Sequence, residues 1–126
     1  MILDTNAISA LAQKNRALIQ HLEDARRLAV TFISFGEYVY GVRESNVRKE
    51  LELWLRKHLL TRAEILTPDL STIEHYADIR IELRRAGTPI PANDIWIAAL
   101  VRQHDLPILS LERHFDKVNG LHRIEW

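Results

Sequence analysis

The chain contains no cysteine, which excludes disulfides, thiolate zinc centres and a cysteine nucleophile. That absence fits a reducing compartment. No uncharged apolar run approaches the roughly 20 residues that a membrane span needs. Nor does a basic segment followed by an apolar stretch open the chain, since Met1-Ile2-Leu3 meets Asp4 at once. The expected location is therefore the cytoplasm, with no membrane partner.

Neither sign of charge is in excess: 17 Lys and Arg stand against 17 Asp and Glu. A passive nucleic-acid-binding module usually carries a basic surplus. A nuclease whose carboxylates are offset by bound cations needs none, so the balance leans toward an enzyme. The familiar nucleotide cradles GxxxxGK[ST] and GxGxxG are missing, as is the GxSxG elbow of serine hydrolases. The six histidines, at 21, 58, 75, 104, 114 and 122, show no HExxH or other tight ligand spacing. Each reads as a surface or packing residue.

What remains is the composition of an ordinary globular protein, 47% hydrophobic and 27% charged over 126 residues. A chain of this length can bury roughly two thirds of its unfolded surface, and residues 1–126 are expected to form a single domain. Short apolar runs alternate with longer helical patterns. Met1 to Leu3 is the first run, followed by a helix capped by Thr5 and reaching Gln13. A second helix is predicted from Arg16 to Arg27. Leu28 to Ile33 reads as a buried strand, and a helix opens at Ser34 and runs toward Gly41. Ser45 or Asn46 caps a helix carrying Val47, Leu51, Trp54 and Leu55. Glu64 to Leu66 reads as a strand, Asp69 to Ala86 as a long helix stopped by Gly87, and Asn93 to His104 as a helix apolar nearly all round. Strands at Pro107–Leu111 and near Leu121–Ile124 close the pattern. This alternation implies right-handed crossovers and a mainly parallel sheet covered on both faces. Ligands of such sheets bind beyond the carboxyl ends of the strands.

Carboxylates lie at those ends. Asp4 follows the first strand, Glu37 lies a few residues past the second, and Glu112 follows the fourth. Asp94 begins the apolar helix. Each has a plain structural alternative: a turn residue for Asp4, a capping box of Glu37 with Ser34, a dipole-stabilising first-turn acid for Asp94, a solvated loop acid for Glu112. The set carries more weight than its members. Two carboxylates ~4 Å apart repel by roughly 4 kcal/mol at an effective dielectric of 20. Four that converge must take up protons or hold a cation, and an all-oxygen cage suits magnesium or manganese. Such an ion lowers the pKa of bound water and neutralises a phosphate under attack, so a metal-dependent phosphodiesterase follows if the four converge.

Met1-Ile2-Leu3-Asp4-Thr5-Asn6, Ser34-Phe35-Gly36-Glu37-Tyr38, Asn93-Asp94-Ile95-Trp96-Ile97-Ala98-Ala99 and Leu109-Ser110-Leu111-Glu112-Arg113-His114-Phe115 resemble, in order and spacing, the four blocks of PIN-domain nucleases. The likeness is to the VapC-type toxins of prokaryotic toxin–antitoxin pairs, and the closing Gly120-Leu121 to Glu125-Trp126 is similar to their C-terminus. It spans essentially the whole chain. The resemblance implies a three-layer α/β/α PIN-like domain with its acids at one sheet edge. Asp4, Glu37 and Asp94 carry over as metal-binding carboxylates, Glu112 stands at the fourth metal position, and Asn6 carries over as the polar partner that orients Asp4 or a metal-bound water. It further implies a magnesium- or manganese-dependent endoribonuclease acting on RNA, inhibited by a cognate antitoxin protein and often a homodimer. In the expected reaction water attacks an RNA phosphate in line and expels the 3′-oxygen, leaving 5′-phosphate and 3′-hydroxyl ends.

One departure stands out. The fourth block of the family usually carries Asp where this chain has Glu112, and often Thr where it has Ser110. Glu112 is one methylene longer than Asp, and Asp116 is a substitute candidate four residues on. A PIN-like module that binds RNA or protein without cutting it therefore stays open as an alternative. An aspartyl phosphatase of the haloacid dehalogenase type is a lesser one, because it requires a second Asp where Asn6 stands. Arg43, Arg84 and Arg85 could meet RNA phosphates, although solvated helix ends are the simpler reading. Trp54 could line an antitoxin groove, although core packing is the simpler reading.

Overall fold

The computed structural model describes residues 1–126. Its sheet has five strands: β1 (Ile2–Leu3), β2 (Ala29–Thr31), β3 (Glu64–Leu66), β4 (Ile108–Leu109) and β5 (Arg123–Ile124). Their spatial order is β3-β2-β1-β4-β5, and every neighbouring pair is parallel. Parallel neighbours require crossovers. These contain six α-helices: α1 (Thr5–Ala12), α2 (Arg16–Leu22), α3 (Phe32–Arg43), α4 (Arg48–Trp54), α5 (Leu70–Ala86) and α6 (Ala92–His104).

The register sorts the strand side chains into two layers, because successive residues of a strand point to opposite faces. Ile2 lies beside Ala29 and Ile108, and all three pack with Ile79 and Leu83 of α5 and with Ile97, Ala98 and Leu100 of α6. Leu3 lies beside Val30 and Leu109, and these join Ala7, Leu18, Tyr38 and Leu59 from the α1–α4 side. The result is the expected α/β/α sandwich. Central strands buried on both faces read as continuous apolar runs rather than alternation, as Ile2-Leu3 and Ile108-Leu109 do. In α6, Ile95, Ile97, Ala98, Ala99, Leu100 and Val101 are buried, and Trp96 stacks on Tyr76 with ring centroids 3.9 Å apart. No helix is long and apolar enough to cross a membrane.

Several local expectations are corrected. The strand expected over Leu28–Ile33 is only Ala29–Thr31, and α3 starts at Phe32. Thr31 is its N-cap: the Ser34 N–H donates to the Thr31 hydroxyl at 3.0 Å. Ser34 thus lies inside the helix, and the capping box of Ser34 with Glu37 does not form. Likewise Asp4, rather than Thr5, occupies the N-cap position of α1, yet its side chain makes no capping bond. The helix expected from Arg16 to Arg27 ends at Leu22. Neither Ser45 nor Asn46 caps α4, whose N-cap is Val47 without a side-chain bond. Beyond Trp54 the helix widens into a π turn over Leu55–Leu59, and the Leu60 N–H donates to the Leu55 carbonyl at 3.0 Å. Trp54 is half-buried and meets Tyr38 edge-on with centroids 6.2 Å apart, which fits core packing.

Candidate active site

β1, β2 and β4 all end at one edge of the sheet, and the polar groups that follow them face one another. Asp4 comes directly after β1 and is 5% exposed. Its Oδ1 accepts the Ser34 hydroxyl at 2.9 Å and its Oδ2 the Ser110 hydroxyl at 2.7 Å. A lone buried carboxylate costs several kcal/mol unless it is paired or hydrogen-bonded. Two buried serines, one from α3 and one just after β4, meet that need and orient the group. An ionised carboxylate offers about four acceptor positions, so capacity for a cation remains on Asp4.

The Ser110 hydroxyl also accepts the Glu112 backbone N–H at 2.9 Å, tying the β4 loop to Asp4. Asn6 serves the same loop: its Oδ1 accepts the Leu111 N–H at 3.2 Å. The structure gives Asn6 no bond to Asp4, so the residues that orient Asp4 are Ser34 and Ser110. Glu112 caps a short 3-10 helix, Arg113–Lys117, accepting the His114 N–H at 3.1 Å. Phe115, fully buried, anchors that turn in the core.

Asp94 sits in the first turn of α6 with its side chain 18% exposed. Its Oδ2 lies 2.7 Å from Nδ1 of His114, and the same nitrogen lies 3.0 Å from Oε1 of Glu112. Burial pushes the Asp94 carboxyl above its ordinary 3.8; the bond and charge of His114 oppose that shift, and the charges of Glu112 and Asp4 add to it. Asp4 is joined to Glu112 through the Ser110 hydroxyl, which bonds to both. One oxygen each from Asp94 and Glu112 and the His114 nitrogen lie within 4.8 Å of one another. Asp4 and Glu37 stand outside that tight triad. Glu37 is exposed on α3, its Oε2 accepting the Thr5 hydroxyl at 2.8 Å and its Oε1 receiving the Asn93 amide at 3.5 Å. It is thus held by the chain neighbours of Asp4 and Asp94.

Two outcomes differ from the sequence reading. His114, expected to be a packing or surface residue, stands between Asp94 and Glu112. The available signal was its place two residues after Glu112, which a tight turn converts into proximity. Asp116 is not part of the cluster: it forms a two-point ion pair with Arg123, at 2.7 and 2.9 Å, and the Arg123 guanidinium holds its carboxyl below the ordinary value. Arg43, Arg84 and Arg85 are all exposed.

The PIN domain model matches residues 1–121, and the chain belongs to the PIN-domain family. Within it, the full-length likeness is to VapC proteins. The chain is 29% identical over 128 residues to ribonuclease VapC2 of Haemophilus influenzae, covering 99% of this chain and 96% of that one. It is 27% identical, with the same coverage, to the tRNA(fMet)-specific endonuclease VapC of Shigella flexneri. In three dimensions it resembles the DNA-bound VapBC of Salmonella typhimurium, with a TM-score of 0.83 and 27% identity over 99% of this chain and 96% of that one.

Proposed function

We propose that this chain is a VapC-type endoribonuclease, the toxin of a toxin–antitoxin pair, which hydrolyses RNA phosphodiester bonds at the Asp4–Glu37–Asp94–Glu112 edge. The observation that carries the reading is the meeting of Asp94 and Glu112, with Glu112 tied to Asp4 through Ser110, on a PIN fold whose full-length relatives are ribonucleases. The donor set fits a divalent cation: oxygen ligands predominate, as magnesium and manganese require. Asp4, Asp94 and Glu112 would hold it, with Glu37 at the outer side. When bound, such a cation lowers the pKa of water and offsets phosphate charge.

The chain's own residues supply the positioning. The hydroxyls of Ser34 and Ser110 keep Asp4 facing the loop that carries Glu112, and Asn6 braces that loop at Leu111. Thr5 and Asn93 fix Glu37 at the exposed mouth, where a phosphate of an entering strand can approach. The pre-set geometry lets the carboxylates act without reorganising during reaction. Relatives have been crystallised with antitoxin and with DNA, which supports an antitoxin as the partner that silences this site. A homodimer is the assembly in keeping with the family resemblance.

The test is incubation of purified, antitoxin-free protein with total RNA in magnesium or manganese, in EDTA, and as Asp94→Asn. Cleavage that requires both the cation and Asp94 is the expected result, with loss on the order of 10²-fold or more in the variant. Cleavage that persists in EDTA or in Asp94→Asn would sink the assignment. Folded wild-type protein that cuts nothing would leave a non-catalytic RNA- or protein-binding module. Mapping the fragment ends identifies the RNA and tests for 5′-phosphate products.

A further inference from the structure

The Asp94–Glu112 pair is bridged by an imidazole, and this sets the chain apart from an all-oxygen site. The His114 Nδ1 lies 2.7 Å from one carboxylate oxygen and 3.0 Å from the other. Adjacent donors around an octahedral ion, each ~2.1 Å from the metal, are separated by about 3 Å. The two distances from the nitrogen are therefore those of adjacent donors around one ion, and all three atoms lie within 4.8 Å of one another. Their mounting is rigid. Glu112 and His114 lie on one short turn, locked by the His114 N–H bonded to Oε1 of Glu112 and by Phe115 packed beneath. Asp94 is fixed on the buried helix α6. With a single hydrogen on Nδ1, the ring can satisfy the two carboxylates only by sharing that hydrogen between them. A cation in the same space would be met by two oxygens and, once the ring is unprotonated there, by the nitrogen lone pair.

We propose that His114 is a direct ligand of the catalytic ion through Nδ1, making this a mixed nitrogen–oxygen site. The inference rests on the functional reading above and adds a residue and a selectivity to it. Manganese takes mainly oxygen, as magnesium does, but as a first-row transition metal it also accepts an imidazole nitrogen, less strongly than its heavier neighbours and more readily than magnesium. The site accordingly binds manganese in preference to magnesium by more than its carboxylates alone provide. Glu112, longer than the family's usual Asp, caps its own turn and so holds His114 at the ion.

Manganese(II) alone is the probe, added to metal-free wild-type protein and followed by pulsed electron paramagnetic resonance and calorimetry. The expected signature is modulation from a directly bonded ¹⁴N, replaced by a ¹⁵N signal when the protein is made with ¹⁵N-histidine, which requires no mutation. In His114→Ala the nitrogen signal disappears and the preference for manganese over magnesium falls by about tenfold or more. His114→Gln, which keeps a polar side chain, serves if the alanine variant does not fold. Bound manganese without nitrogen coupling in the wild type, or coupling that survives in the variants, overturns the role of His114 and leaves the carboxylate site standing. Absence of any bound manganese, with Asp94→Asn indistinguishable from wild type in calorimetry, overturns the metal site itself and this inference with it.

Discussion

Asp94, proposed above as a metal ligand, burdens the fold that holds it. Its carboxyl is pushed up chiefly by burial, so the folded chain takes up the proton more readily than the unfolded chain does. Stability contributed by that proton is present at low pH and is lost as pH rises past the ordinary 3.8. At neutral pH, without metal, the ionised group is a cost. Asp94→Asn removes the charge with almost no change of shape. In EDTA the variant is expected to melt a few degrees above wild type by calorimetry, while with manganese or magnesium its cleavage is lost. A lower melting temperature would mean that the bond to His114 outweighs burial.

Among the elements, α5 is the most fully specified by local chemistry, and both its ends are testable. It stops at Gly87, which has φ of 69° and open space where a methyl group would stand. The cost of a side chain there is purely conformational. Gly87→Ala should lower stability by about 1 kcal/mol in urea denaturation, and Gly87→Asn by less, since Asn tolerates the left-handed region. Equal losses for the two would point to a lost contact instead. At the other end Asp69 caps the helix and accepts from Thr72 and Gln103. The Thr72 N–H, first among several bonds, holds its carboxyl below 3.8. Asp116, held down by Arg123, behaves the same way. For depressed carboxyls the stability is present above 3.8 and lost as pH falls below it. Wild type should therefore lose melting temperature between about pH 4 and pH 2 more steeply than the Asp69→Asn, Asp116→Asn double variant. Parallel curves would show that neither bond contributes measurably.

At the scale of the whole molecule, the proposed cation site ties ion binding to folding. An ion that binds only the native state stabilises it by about 2.7 kcal/mol at a hundred times its dissociation constant. Manganese should thus raise the wild-type melting temperature by several degrees and leave that of Asp94→Asn nearly unchanged. An equal rise in both would place the ion elsewhere on the surface.

Much of this architecture is legible in residue order. The run Ile95 to Val101 is apolar on every side, so α6 had to be buried, and Ile2-Leu3 and Ile108-Leu109 carry no alternation, so they had to be central strands. Gly87 and Asp69 mark the ends of α5 through backbone preference and a local bond, which act over three or four residues. Boundaries were less legible where two local signals compete. Ser34 looks like a cap for Glu37, but Thr31, three residues earlier, caps the helix and leaves Ser34 for Asp4, 30 positions away in the chain. Chain order and residue type by themselves determined the layers, the succession of strands and helices along the chain and which carboxylates end the strands, because burial periodicity and capping are short-range effects. Only the tertiary structure decided that Asn6 braces the loop at Leu111, that Asp116 belongs to Arg123, and that His114 stands between Asp94 and Glu112. Those choices depend on distances between segments far apart in sequence, which packing sets and local preference does not.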